Sequence, residues 1–234
     1  MRTYVPGSCA SHGRPRWPQN DRMTDASFPD WFFDRDDSTP DRTFYRAPRL
    51  VTHIDDGAVK AVGGLYAELA VDGAAPRATS VLDLMSSWVS HFVSPPQRLT
   101  VLGMNRAELD ANEAATERIV QDLNSDVSLP FDDDAFDAVT CCVSIDYLIR
   151  PVEVLAEVAR VLKPDSPVVI TYSNRCFPTK AVQGWLATTD EQHGEVVSRY
   201  LALASGFGPP EISLRTPKTG YRGDPLWAVV ARSL

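Results

Sequence analysis

Short apolar runs alternate with stretches of helical period from Asp55 to the C-terminus, and this alternation constrains the fold more than any other feature. Asp55 is a good N-cap for a first helix, whose apolar face repeats at Val59, Val62, Tyr66 and Leu69. Apolar runs that predict strands follow at residues 81–84, 99–102, 119–122, 138–143 and 168–172, with a helix or helical turn expected after each. Continuous apolar strands of this kind are typical of a mostly parallel sheet covered on both faces by helices.

The second half of the chain continues the pattern. A helix is predicted over residues 151–162, because Pro151 suits a first turn, apolar residues fall on one face, and Lys163 and Pro164 end it. Residues 184–204 contain another predicted helix, which ends before Gly206. The runs 211–214 and 226–231 are expected to close the sheet as a hairpin, so the chain is predicted to be an α/β protein.

The first 42 residues are predicted to form an N-terminal arm that is partly disordered, because they are rich in Pro, Asp, Arg and Ser and show no period. Residues 43–234 are predicted to form the domain. Phe28, Trp31, Phe32 and Phe33 are too apolar for a solvated linker, so this stretch is expected to fold back over a groove or to meet a partner. Met23 begins a stretch typical of a natural start, which leaves open whether residues 1–22 are native.

Length and charge narrow the function classes. A chain of 234 residues suits one domain, and its net charge of −8 argues against a nucleic-acid partner. No apolar run approaches the roughly 20 residues that span a bilayer, and residues 1–17 lack an apolar signal core, so we predict a cytoplasmic protein without a membrane partner. The oligomeric state has no sequence signal. The cysteines lack zinc-ligand spacing and are predicted to be buried or idle thiols, with Cys141 and Cys142 on opposite faces of a strand.

The turn after the first strand lacks glycines. Where a nucleotide-type cofactor lies against the first strand-to-helix turn, glycines normally let the backbone approach it without an intervening Cβ. Here Met85, Ser86 and Ser87 occupy those places.

Polar residues lie within the end of the first predicted strand and after the next three. Because the carboxyl ends of parallel strands meet at one edge of a sheet, these residues are expected to line one crevice. They are Asp83, Asn105, the run Asp122, Leu123 and Asn124, and the group Ser144, Asp146 and Tyr147.

Four motifs resemble those of the class I S-adenosylmethionine-dependent methyltransferases of the small-molecule type. They occupy residues 129–131, 135–139, 160–164 and 205–207. The resemblance covers residues 81 to 234, and its most specific part is the Arg-Val-Leu-Lys-Pro run at 160–164. It implies a doubly wound, seven-stranded, mostly parallel Rossmann-like sheet with an antiparallel C-terminal hairpin. It also implies methyl transfer from S-adenosylmethionine to a small-molecule acceptor.

A narrower resemblance links the chain to a methyltransferase-like subgroup of bacteria and plants, and it implies the fold more strongly than the reaction. It rests on residues 52–55, 86–91, 103–105, 121–124 and 173–177. Two departures from the broad family stand out. Met85, Ser86 and Ser87 replace the glycine-rich turn, and Asn105 replaces the acid that normally holds the ribose.

The resemblance implies cofactor contacts at the strand ends. Hydroxyl and N–H groups at Ser86 and Ser87 would receive the carboxylate of the cofactor, and Asp83 would orient the turn or meet the ammonium group. Asn105 would bind the ribose, with weaker hydrogen bonds than a carboxylate makes. Asp122 and Leu123 would flank the adenine. Met85, Asn124 and Ser144 complete the predicted cofactor site.

Methyl transfer needs a base only when the acceptor carries a proton, as a phenol, hydroxyl or protonated amine does. The candidates are His91, placed just inside the first helix, His53, and the pair Asp146 and Tyr147. Capping or packing is the alternative role for each histidine, and no metal site is predicted. Two other functions stay open, namely a catalytically silent protein that binds a ligand or a partner, and an enzyme of this fold that transfers no methyl group.

Overall fold

A computed structural model of the chain describes residues 7–8, 28–73 and 79–234. The strands are β1 (Gly7–Ser8), β2 (Ser80–Leu84), β3 (Arg98–Gly103), β4 (Glu117–Val120), β5 (Ala138–Cys142), β6 (Pro167–Ser173), β7 (Arg175–Cys176), β8 (Glu211–Leu214) and β9 (Leu226–Arg232). The α-helices are α1 (Asp41–Phe44), α2 (Asp56–Glu68), α3 (Arg106–Ala111), α4 (Pro151–Val161), α5 (Gln183–Leu186) and α6 (Asp190–Ala204). Short 3-10 turns cover Asp30–Phe33 and Ile145–Tyr147.

Seven strands form one sheet in the order β4-β3-β2-β5-β6-β9-β8. The first five run parallel, whereas β9 is antiparallel to both of its neighbours. This arrangement confirms the predicted doubly wound, mostly parallel sheet with an antiparallel C-terminal hairpin. The chain order reverses between β2 and β5, which is where such sheets bind ligands.

The sheet is buried on both faces, as the continuous apolar strands predict. Leu82 and Leu84 of β2 point into a core shared with α4 and α6, while Val81 points into a second core shared with α2 and α3. The adjacent cysteines of β5 separate in the same way, with Cys141 in the first core and Cys142 beside the second. Both of these thiols are free.

The motifs that carry the resemblance are structural connections. Arg160, near the end of α4, donates hydrogen bonds to the carbonyl oxygens of Leu129 and Phe131. The Asp137 carboxylate accepts from the backbone N–H of Ser80 and from Lys163 Nζ. These bonds join the segments before β2, before β5 and after α4, so the motifs determine the fold more than the chemistry.

Two predicted elements differ from the structure. A helix is expected after β2, but residues 85–97, all of which are described, contain none. The serines here bond to other side chains and compete with helical hydrogen bonds, and Pro95 and Pro96 end the segment. His91 therefore lies in a loop, and its predicted place inside a helix is wrong. The strand β4 begins two residues before the predicted 119–122 run, because an edge strand tolerates the charged Glu117 and Arg118.

The arm is packed on the domain wherever the structure describes it. Phe32 is fully buried, and its ring lies 4.5 Å from that of Phe28 and 6.5 Å from that of Tyr200 in α6. Phe28 and Phe32 therefore fold back onto the domain, which is one of the two outcomes that the sequence analysis expected. Residues 9–27, which include Met23, lie outside the described residues.

Cys176 departs from the expectation of idle thiols, because it is disulfide-bonded. It lies in β7, which pairs antiparallel with β1. In the part of the chain that the structure describes, no helix has the length and apolar character needed to cross a membrane.

Candidate functional site

A cavity of about 150 Å³ opens at the carboxyl ends of the parallel strands. Loops after β2, β3, β4 and β5 form one side, and residues 41–54 of the N-terminal region form much of the other. Most of the predicted site residues line it, namely His53, Asp83, Met85, Ser86, Ser87, His91, Asp122, Leu123, Asn124, Ser144 and Tyr147. Asn105 and Asp146 do not.

Asp83 holds the turn that follows β2. Its Oδ2 accepts hydrogen bonds from the hydroxyls of Ser86 and Ser90, both at 2.6 Å, and its Oδ1 accepts from Thr140 at 2.8 Å. Burial raises the pKa of Asp83, although the three hydroxyls oppose the shift. These contacts correspond to the turn-orienting role, one of the two that the sequence left open.

The missing glycine leaves a strained backbone. Met85 has φ of +54° and Val143, after β5, has φ of +44°. Both values lie in the left-handed region, which a β-branched residue such as Val143 rarely adopts. Both residues line the cavity. Strain of this kind costs about 1–3 kcal/mol per residue and clusters at functional sites.

Side-chain bonds replace the helix that would normally follow this turn. The backbone N–H of Ser86 donates to the carbonyl of Leu102 at the end of β3. Asn112, just after α3, donates from its side chain to the carbonyl of Ser87 and the hydroxyl of Ser90. Gly103 permits the approach, because a Cβ there would lie 2.1 Å from the Ser86 carbonyl oxygen. The turn thus rests on β3 and α3.

Asn105 is fully engaged in structural bonds. Its Oδ1 accepts from the N–H groups of Ala107 and Glu108, which caps α3, and its Nδ2 donates to the carbonyls of Tyr45 and Arg46. The side chain does not line the cavity. The Asn105 side chain therefore has no free hydrogen-bonding group for the ribose contact that the sequence predicts.

The loop after β4 is also internally bonded. The carboxylate of Asp122 accepts from the backbone N–H of Asn124 and the hydroxyl of Ser125. Asn124 donates to Asp41 and to the carbonyl of Tyr147, and its Oδ1 accepts from the N–H of Ile149. Asp122 and buried Leu123 form the part of the cavity wall that the sequence analysis predicts to flank the adenine.

The loop after β5 separates the remaining predicted residues. The Ser144 hydroxyl donates to the carbonyl of Cys142 at 2.6 Å. The Tyr147 hydroxyl accepts from the N–H of Phe177 at 2.9 Å and so ties this loop to the segment after β7. Asp146 is buried away from the cavity, and its Oδ2 has no hydrogen-bond partner among the described residues.

Asp146 should make stability depend on pH. Burial raises its pKa to about 8, whereas in the unfolded chain the pKa is about 4. Between about pH 4 and pH 8 the Asp146 carboxyl loses its proton in the unfolded chain but keeps it in the folded protein. The stabilising contribution of Asp146 to the free energy of unfolding is therefore complete at low pH and is lost as the pH rises. Urea unfolding should show Asp146→Asn gaining about 3–4 kcal/mol on the wild type between pH 5 and pH 8. A difference that is constant across this range would contradict the assignment.

Two histidines line the cavity, His53 in the N-terminal region and His91 in the loop after β2. His53 packs edge-on against Phe177 at 5.3 Å, and its Nδ1 is buried without a hydrogen-bond partner among the described residues. Burial lowers the pKa of His53, and the charges of Arg49 and His91 lower it further. Burial also lowers the pKa of His91, against the opposing charge of Asp83. Both imidazoles are therefore neutral at neutral pH and able to accept a proton.

Sequence reasoning missed an aromatic wall and a carboxylate at this cavity. Phe177 packs against Tyr45 and Tyr147, with ring centroids 6.4 and 5.9 Å apart, and the Arg49 guanidinium lies 5.4 Å from the Phe177 ring. Glu108 lines the cavity beside the serine turn. The Phe44-Tyr45 pair at the start of the predicted domain was the available signal for the wall, whereas Glu108 resembles any exposed helix residue.

Comparison with known proteins agrees with this geometry. Residues 84–170 match the model of a family described as a methyltransferase domain. A curated demethylmenaquinone methyltransferase of Clavibacter sepedonicus is 34% identical over 112 residues, which cover 47% of this chain and 43% of that protein. The chain thus matches less than half the length of this relative.

Solved structures agree with the fold. A S-adenosylmethionine-dependent methyltransferase from Aquifex aeolicus aligns over 77% of this chain and 94% of its own, with 14% identity and a TM-score of 0.53. The trans-methyltransferase CalH, solved in complex with S-adenosylhomocysteine, aligns over 71% of this chain and 55% of its own, with 16% identity and a TM-score of 0.51. These likenesses show the class I methyltransferase fold.

Proposed function

We propose that this chain, which has the class I S-adenosylmethionine-dependent methyltransferase fold, transfers a methyl group from S-adenosylmethionine to a small molecule. One observation carries the proposal. The cavity at the sheet's reversal point is lined by polar residues at the ends of β2 to β5 and also by neutral histidines and aromatic rings.

The residues present fit the cofactor. S-adenosylmethionine carries no phosphate, so a glycine-rich anion nest is not required. The Ser86 hydroxyl, the Ser86 N–H and the Ser87 hydroxyl already donate to Asp83, Leu102 and Glu108. The Ser87 N–H is therefore the donor in this turn that would meet the cofactor carboxylate. Asp122 and Leu123 would flank the adenine, and Met85, Asn124 and Ser144 would complete the enclosure. When bound, the cofactor supplies an electrophilic methyl group on a sulfonium. The chain's own contribution is then to hold the acceptor at attack distance.

The aromatic part of the cavity lining suits a flat acceptor that carries a hydroxyl. Tyr45, Tyr147 and Phe177 provide aromatic surface of the kind on which planar rings pack. The buried, unpartnered Nδ1 of His53 is the base that a phenolic proton would require. The curated relative is named a demethylmenaquinone methyltransferase, and that name is in keeping with a ring acceptor here.

The acceptor is proposed to be a small molecule and not a nucleic acid, because the chain's net charge is −8 and phosphate binding favours basic surfaces. The strained, glycine-free turn keeps a catalytically silent ligand-binding protein as the second candidate. An enzyme of this fold that binds the cofactor without transferring methyl is the third.

Calorimetric titration of the purified chain with S-adenosylmethionine and S-adenosylhomocysteine separates these candidates. Micromolar binding of both is expected. Incubation with S-adenosylmethionine and a panel of small phenols, alcohols, amines and carboxylic acids should then yield S-adenosylhomocysteine, with phenols the most active class. No heat at millimolar ligand would favour the silent protein, and binding without product from any acceptor would favour the third candidate.

The cytoplasmic location stays a prediction. The disulfide at Cys176 argues for an oxidising setting, because disulfides are rare in reducing compartments. Fractionation of producing cells, with the thiols trapped by alkylation at lysis, tests both points together.

A further inference from the structure

The position from which this fold normally holds the cofactor ribose is structurally occupied. Asn105 is only 8% exposed, and both ends of its amide bond to backbone groups, at distances of 2.8–3.2 Å. Releasing it would uncap α3 and detach Tyr45 and Arg46. A different residue must therefore meet the ribose hydroxyls if the proposed function holds.

Glu108 is the carboxylate nearest in sequence that reaches the cavity. It lies in the first turn of α3, three residues after Asn105, and is half-buried. Its Oε1 accepts from the backbone N–H of Arg49 and its Oε2 from the hydroxyl of Ser87, both at 2.7 Å. These two bonds fix the orientation of the carboxylate between the serine turn and the N-terminal region.

We propose that Glu108, supported by Ser87, binds the two ribose hydroxyls of the adenosyl group. A carboxylate offers about four acceptor sites, so each oxygen retains capacity after the bond it already makes. A ribose diol presents two adjacent donors, and hydrogen bonds to a charged acceptor are stronger than those to a neutral amide. The assignment rests on the proposed function and explains how a chain without the usual acid can still hold the cofactor.

Glu108 also joins two segments of the chain, so the test must separate ligand binding from structure. Calorimetry on the full chain compares S-adenosylhomocysteine with its 2′-deoxy analogue, for the wild type, Glu108→Gln and Asp110→Asn. Asp110 lies on the same helix and pairs with Arg106 on the exposed surface, which makes it the matched control. Thermal unfolding of each variant records any change in the fold.

Binding of S-adenosylhomocysteine to Glu108→Gln should be about 10- to 100-fold weaker than to the wild type, as the loss of charge-assisted bonds implies. The wild type should prefer S-adenosylhomocysteine to the 2′-deoxy analogue by a similar factor, and Glu108→Gln should lose this preference. Glu108→Gln binding within twofold of the wild type, or an equal loss for both ligands, overturns the assignment. Wild-type binding itself reports on the proposed function, so the two failures are distinguishable.

Discussion

Replacing Asp41 with alanine should destabilise the protein by about 3–5 kcal/mol, because it removes the carboxylate that pairs with buried Arg35 and leaves buried Lys180 with its longer pair, to Asp37 at 3.4 Å. Asp41 is 5% exposed and accepts from both Arg35 Nη1 and Lys180 Nζ, at 2.9 and 3.0 Å. Asn124 adds a third bond at 2.8 Å. Burial alone would raise the pKa of Asp41, but these donors outweigh it and lower the pKa.

Urea unfolding measures this effect, with Asp110→Ala as the matched control. Asp110 also pairs with an arginine, but the pair is exposed and should contribute at most about 1 kcal/mol. Adding Lys180→Met to Asp41→Ala should recover part of the loss, because an apolar replacement removes the buried charge. A loss below about 1 kcal/mol for Asp41→Ala would contradict this account of the buried charges. Asp41→Ala should also lower the affinity for the cofactor, because Asn124, which donates a hydrogen bond to Asp41, lines the cavity.

The sheet could be predicted from sequence because its signals are local and repeated. Four apolar runs, Asp55 as an N-cap and Pro151 in a first turn each indicate the element that forms, and the structure confirms these elements. The fifth predicted strand, 119–122, forms as β4 two residues earlier. The segment after β2 could not be predicted in this way. Its conformation depends on Asp83 at the end of β2 and on Glu108 and Asn112 of the α3 region, which lies more than 20 residues further along the chain and acts through side-chain bonds.

The residues of the candidate site also divide into those that could be predicted from sequence and those that could not. Residues at the end of a strand or shortly after it, such as Asp83, Asp122 and Ser144, could be placed from sequence at the cavity. Asn105 lies just after β3, as predicted, but its side chain caps α3 and bonds to the backbone of Tyr45. Neither contact can be recognised from the neighbouring sequence. Phe177 and Arg49 reach the cavity only through the packing of the N-terminal region on β7, which involves contacts between residues far apart in the chain.

Removing the imidazole of His53 should lower kcat by about 10²- to 10⁴-fold with the phenol that the acceptor panel identifies, because a positioned base contributes that factor. Affinity for S-adenosylhomocysteine should stay within about threefold, since His53 lies on the acceptor side. Initial rates of S-adenosylhomocysteine formation by His53→Gln, beside calorimetry on the same protein, measure both quantities. A loss of affinity as large as the loss of rate would mean that His53 shapes the cavity and takes no proton.

The pH dependence distinguishes the two histidines. Burial, Arg49 and His91 all lower the pKa of His53, so wild-type kcat/KM should fall only as pH drops below about 6.5, where an ordinary histidine titrates. His91→Gln removes one of the charges that lowers this pKa, and its acid limb should therefore move to higher pH while kcat at pH 8 changes little. The limb should vanish in His53→Gln. A limb that persists in His53→Gln and vanishes in His91→Gln would instead make His91 the base.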